Sequence, residues 1–92
     1  MDSDWIEDRF SVVRELGMHA RPAGKLVAVA SQFGCEIEVG RDDEWVSGSS
    51  VLSILSLAAT QGTVLLVRAR GESAEEAVRA MGAVISAPND DD

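Results

Sequence analysis

Between Ala23 and Val39 the spacing of apolar residues changes from helical to strand-like. Ala23, Leu26, Val27 and Ala30 fall at i, i+3, i+4 and i+7, the stripe of an amphipathic helix running to about Phe33. Cys35, Ile37 and Val39 then alternate with Glu36 and Glu38, the period of a half-buried strand. Gly34 stands at the junction, placed to end the helix. A chain that switches period in this way must bury a helix stripe and one sheet face in the same core.

The same reading extends in both directions. Arg9 to Arg14 predicts a strand, with Phe10 and Val12 on one face and Ser11 and Val13 on the other. Gly40-Arg41-Asp42-Asp43 predicts a turn, and Glu44 to Ser47 a short returning strand. Gly48-Ser49-Ser50 offers hydroxyls at a second helix start, followed by Val51, Leu52, Ile54 and Leu55, with Gln61-Gly62 closing the segment. Val64 to Val67 is apolar on both faces, which predicts a strand covered on more than one side. Ser73-Ala74-Glu75-Glu76 reads as a capping box opening a third helix with its stripe at Ala74, Ala77, Val78, Met81 and Ile85. Gly82 inside that helix is expected to cost about 1 kcal/mol relative to alanine. The order is βαββαβα, an α+β fold with its helices on one face of the sheet. One domain over residues 9–87 is expected, with an acidic N-terminal extension over 1–8 and an acidic tail over 88–92.

Composition narrows the function. Ninety-two residues suit one core, and no apolar run approaches the ~18 needed to span a membrane. The acidic start Met1-Asp2-Ser3-Asp4 lacks the basic beginning of a secretory signal. A single cysteine, Cys35, forms no internal disulfide, which fits a cytoplasmic chain, and it reads as a small buried hydrophobe. The net charge of −8 argues against nucleic acid and anionic lipid as partners. One histidine and one cysteine make no metal-ligand cluster, no glycine-rich phosphate loop is present, and no cofactor is indicated.

Against that acidic background, Gly17-Met18-His19-Ala20-Arg21-Pro22-Ala23 holds the only histidine where a helix begins. Pro22 fits a first turn, where its missing N–H forfeits no intrahelical bond. Because the residue before proline disfavours helical angles, the helix starts either near Ala20 or at Pro22. With either start His19 sits at or near the N-cap, with the amides of Ala20, Arg21 and Ala23 close by. Orphan donors and the positive end of the helix dipole make an anion site, to which Arg21 adds a forked cation. Lys25 extends the positive field. An imidazole, with its ordinary pKa near ~6.5, offers a neutral nucleophilic nitrogen around neutral pH. The combination points to a histidine that carries phosphate.

These residues resemble the HPr family, the histidine-containing phosphocarriers of the sugar phosphotransferase system. One anchor is the segment Gly17 to Ala23, similar to the family's active-site signature. The other is Val46-Ser47-Gly48-Ser49-Ser50-Val51-Leu52-Ser53-Ile54-Leu55-Ser56-Leu57, similar to its regulatory-serine segment, in matching register. The resemblance covers roughly Arg9 to Ser86. It implies an open-faced β-sandwich, a four-stranded antiparallel sheet with three helices. It implies that His19 accepts a phosphoryl group from enzyme I on its Nδ1 nitrogen, beside Arg21, and passes it to an EIIA-type acceptor. Ser50 matches the serine modified by an HPr serine kinase/phosphorylase, and Met18, Ala20, Gly24, Leu52 and Leu55 fall at or near the partner-binding patch. A monomeric, cytoplasmic carrier without membrane insertion follows, regenerated by its partners and so not itself an enzyme.

Other readings stand beside these. Ser50 equally serves as a plain helix cap, and Leu52 and Leu55 equally fit a core. Gly24 replaces the usual alanine, serine or threonine, and Ser49 stands where a basic residue is common. A regulatory adaptor of the nitrogen-related branch, uncoupled from sugar import, is the main rival. A small hydrolase using His19 as base would need a deep pocket and a second catalytic group.

Overall fold

The period-two segments pair into a single antiparallel sheet in the computed structural model, which describes residues 4–89. The elements run β1 (Ile6–Ser11), α1 (Ala20–Ala30), β2 (Glu36–Arg41), β3 (Glu44–Ser47), α2 (Val51–Ser56), β4 (Val64–Arg70) and α3 (Ala74–Ile85). Strand order is β1-β4-β2-β3, and each neighbouring pair is antiparallel. Strand alternation puts Ile37, Val39, Leu65, Val67 and Ala69 on the buried face, against Leu26 of α1, Ile54 of α2 and Met81 and Ile85 of α3. α3 lies across β1, β4 and β2, and α1 packs on both α3 and α2. The fold is therefore a four-stranded open-faced sandwich with its three helices on one side. No helix among the described residues is long and apolar enough to cross a membrane.

Among the described residues the other face of the sheet has no second layer and is held by charge and aromatic stacking. Register sets Glu36 opposite Arg70 and Glu38 opposite Arg68. Arg68 donates from Nε and Nη2 to Glu38 Oε1 at 2.9 and 2.6 Å. The Arg68 guanidinium carbon lies 4.3 Å from the Trp5 ring centroid and 4.0 Å from that of Trp45. Gly40 makes room for this stack, since a Cβ there would lie 2.7 Å from a carbon of the Trp45 ring.

Several expectations are corrected. β1 spans Ile6–Ser11 rather than Arg9 to Arg14. At Val12 the chain leaves the strand and bonds to the loop before β4, with Val12 N–H donating to Thr63 O and Gly62 N–H to Val12 O. Ile6, Glu7 and Asp8, read as acidic extension, therefore belong to the sheet. β4 is buried on one side only: Leu65, Val67 and Ala69 are covered, while Val64 is exposed and Leu66 half-buried. α1 ends at Ala30 with Ser31 as its cap, short of Phe33. Ser73 makes no side-chain cap, because the turn from β4 holds it in the left-handed region at φ +65°. Gly82 is required in α3, since the Phe10 ring occupies the space where its Cβ would stand. Cys35 is half-buried against the core rather than within it. Asp90 to Asp92 of the acidic tail lie outside the described residues.

Candidate functional site

His19 is the N-cap of α1, with extended backbone angles of φ −93° and ψ −167°. Its carbonyl accepts the first intrahelical bond, from Ala23 N–H at 3.1 Å. Its side chain makes no cap bond, and the residue is half-buried. The helix starts at Ala20, so Arg21 is helical despite preceding Pro22. Burial of Pro22 and Ala23 against the core outweighs the local preference. Ala23 was expected to offer a free amide at the site. That bond to His19 occupies it, which leaves Ala20 and Arg21 as the helix-start N–H groups outside the ladder.

Ala20 and Arg21 are exposed, and Gly24 and Lys25 half-buried. Arg21 is therefore an exposed residue in the first turn of α1. A hollow of about 190 Å3 opens beside His19, lined by Arg14, Glu15, Leu16, Pro88 and Asn89 with the histidine itself. A neighbouring hollow brings Lys25 together with Arg14, Val84 and Asn89.

The second half of the candidate surface is α2. Ser50 is its N-cap, and Ser50 Oγ accepts from Ser53 N–H at 3.2 Å, so the cap reading of this serine holds. Leu52 is 79% exposed and Leu55 half-buried, which removes Leu52 from the core. Met18 lies inside rather than on the surface. It is only 5% exposed and packs in the core, because its backbone N–H is pinned to Ala59 O at 3.0 Å and the preceding loop turns its side chain inward. At Gly24 an added Cβ would meet nothing within 4 Å, so the helix face there is open to solvent.

Two residues near His19 escaped sequence reasoning. Leu16 is 78% exposed, an apolar side chain standing out beside the imidazole. Arg14, expected to end a strand, is instead buried at 3% exposure, where its Nη1 donates to Val84 O at 2.7 Å. It ties the end of α3 to the loop that carries His19. Nothing in its local spacing signals this, because the partner lies on the last helix.

Chemically, an imidazole that lines an open hollow at a positive helix end, with exposed Arg21 following Ala20 in the sequence, has the residue types around it to receive a phosphoryl group and release it again. Helix-end donors contribute only about 0.3–1 kcal/mol at exposed positions, enough to favour the charged state without trapping it. No cluster of three or more metal-ligating side chains exists among the described residues.

Comparison with known proteins agrees with this geometry. The family described as "PTS HPr component phosphorylation site" matches residues 6–87. The phosphocarrier protein HPr of Pseudomonas aeruginosa is 39% identical over 77 residues, covering 83% of this chain and 86% of that protein. The phosphocarrier protein NPr of Shewanella violacea is 33% identical over 86 residues, covering 94% of each. The crystal structure of a phosphocarrier protein HPr from Bacillus anthracis superposes with a TM-score of 0.85 at 31% identity, covering 91% of this chain and all of that one.

Proposed function

The chain belongs to the HPr family of phosphocarriers, and from that premise we propose that His19 is its phosphoacceptor, loaded by enzyme I and unloaded to an EIIA-type domain. The observation that carries the proposal is half-buried His19 at the N-cap of α1, followed by exposed Arg21. A ring nitrogen attacks phosphorus in line, and the bond from phosphorus to the donor breaks with its electron pair returning to the donor. Arg21 meets the charge that builds on the phosphoryl oxygens during transfer. The reverse step, with an acceptor attacking, discharges the phosphoramidate. Leu16 and Leu52, both strongly exposed, supply apolar contact for the partners, with Ala20, Gly24 and Leu55 around them. The carrier works as a cytoplasmic monomer. Incubation with phosphoenolpyruvate and enzyme I, followed by phosphorus NMR, is expected to give an acid-labile phosphohistidine that is lost in His19→Ala. Label surviving that substitution refutes the assignment.

A second reading has its own support: the nitrogen-type relative matches almost the whole length of the chain. Transfer only to regulatory acceptors, and not to a sugar-permease domain, selects it. For Ser50, phosphate adds roughly −1.5 to −2 charges at the start of α2 next to the apolar Leu52. An HPr kinase-type modification there inhibits docking by charge rather than by unfolding. Ser50→Asp is expected to keep its thermal midpoint while accepting phosphate more slowly; a wild-type rate removes this regulatory role.

A further inference from the structure

The loop presenting His19 hangs on the segment between α2 and β4. Val12 exchanges bonds with Thr63 O and Gly62 N at 2.9 and 2.8 Å, and Met18 N–H donates to Ala59 O at 3.0 Å. Gln61 Nε2 donates to Val13 O at 3.1 Å. Gly17, at φ +71°, permits the close approach, since a Cβ there would lie 2.6 Å from Ala59 O. The supporting segment is itself gripped from across the molecule. Arg41, the last residue of β2, donates from Nη1 to Leu57 O and to Ala58 O, both at 2.8 Å. Ala58 sits in the left-handed region at φ +54°, a conformation that is strained for a residue with a Cβ and needs external support.

We propose that Arg41 is a positioning residue for phosphoryl transfer at His19, acting through the 57–60 turn. Arg41 holds the Leu57 and Ala58 carbonyls, the turn places Ala59 O, and Ala59 O places Met18, the residue before the imidazole. The proposal rests on His19 being the phosphoacceptor. Both carbonyl bonds of Arg41 come from one nitrogen, while its Nε lies 3.9 Å from Asp42 Oδ2, so a compact ammonium with several donors can replace the carbonyl grip in part. A shift of about 1 Å at a reacting group costs up to ~10²-fold, and losing one tether among several is expected to cost about fivefold.

The test compares full-length variants in phosphate acceptance from phosphoenolpyruvate and enzyme I. Wild-type protein that takes no phosphate on His19 refutes the phosphocarrier reading itself, whatever Arg41 does. With the wild type active, Arg41→Ala is expected to lower kcat about fivefold with KM little changed, and to move the His19 ring resonances. Arg41→Lys is expected to recover much of the loss. Val78→Ala, a core truncation in α3, serves as the control for destabilisation alone and is expected to leave kcat and the His19 resonances in place. A kcat for Arg41→Ala within about twofold of wild type, or an equal loss in Val78→Ala, overturns the proposal. If Arg41→Ala does not fold, it is combined with Ala58→Gly, which removes the left-handed penalty, and the same thresholds apply.

Discussion

Arg21 is exposed on the first turn of α1, and on the proposed function its side chain serves a dianion carried by His19. Arg21→Ala is expected to lower phosphate acceptance about 10- to 100-fold in kcat/KM, equivalent to ~1.4–2.7 kcal/mol of transition-state stabilisation. Arg21→Lys should keep part of the rate, because a point charge replaces the fork. Label-transfer rates with enzyme I measure both, and an Arg21→Ala rate equal to wild type contradicts its role. The placement of His19 at the helix start with Arg21 in its first turn was legible in the sequence because both are fixed by the same local turn. The burial of Arg14 was not, because its guanidinium bonds to Val84 O, seventy residues away.

Two helical glycines look alike in the sequence and differ in the structure. Gly24 in α1 faces open space, so Gly24→Ala is expected to raise stability by about 0.5–1 kcal/mol through helix propensity. Gly82 in α3 faces the Phe10 ring, so Gly82→Ala is expected to lower stability by about 1–3 kcal/mol, against the propensity trend. Urea midpoints at constant m-value decide both, and a stabilising Gly82→Ala would contradict the packing described for β1 on α3. Helix and strand existence was legible for every element, because amphipathic period is a local property. Boundaries were less so. Val12 and Val13 have the β-branched character of a strand, yet their partners are loop residues that close the site. The capping box at Ser73 failed because the turn out of β4 sets its backbone before its hydroxyl has a choice.

At the scale of the whole molecule, the uncovered sheet face depends on one side chain that joins three strands. Arg68 pairs with Glu38 and stacks on both tryptophans, while Arg70 pairs with Glu36 and lies 4.2 Å from the Trp5 ring. The hydrogen bond to the Glu36 carboxylate raises the Arg70 pKa further above its already high ordinary value. Arg68→Ala is expected to cost about 1–2 kcal/mol, from two cation–aromatic contacts and a partly exposed ion pair. A lowered urea midpoint together with altered tryptophan emission would show it, and an unchanged midpoint would mean the stack contributes nothing. Phosphate acceptance on His19 should be unaffected, since the stack lies on the face away from the helices.

The sequence by itself determined the order of the elements, the helix-start histidine with its arginine, and the serine that begins α2. Each of these is written in residues a few positions apart, where period, capping and proline chemistry act. The tertiary structure alone decided that β4 lies between β1 and β2, that Met18 turns inward while Leu16 and Leu52 face out, and that Arg41 reaches the turn under the His19 loop. Those outcomes depend on which distant carbonyls and rings meet once the core closes, and no local pattern of residues encodes such meetings.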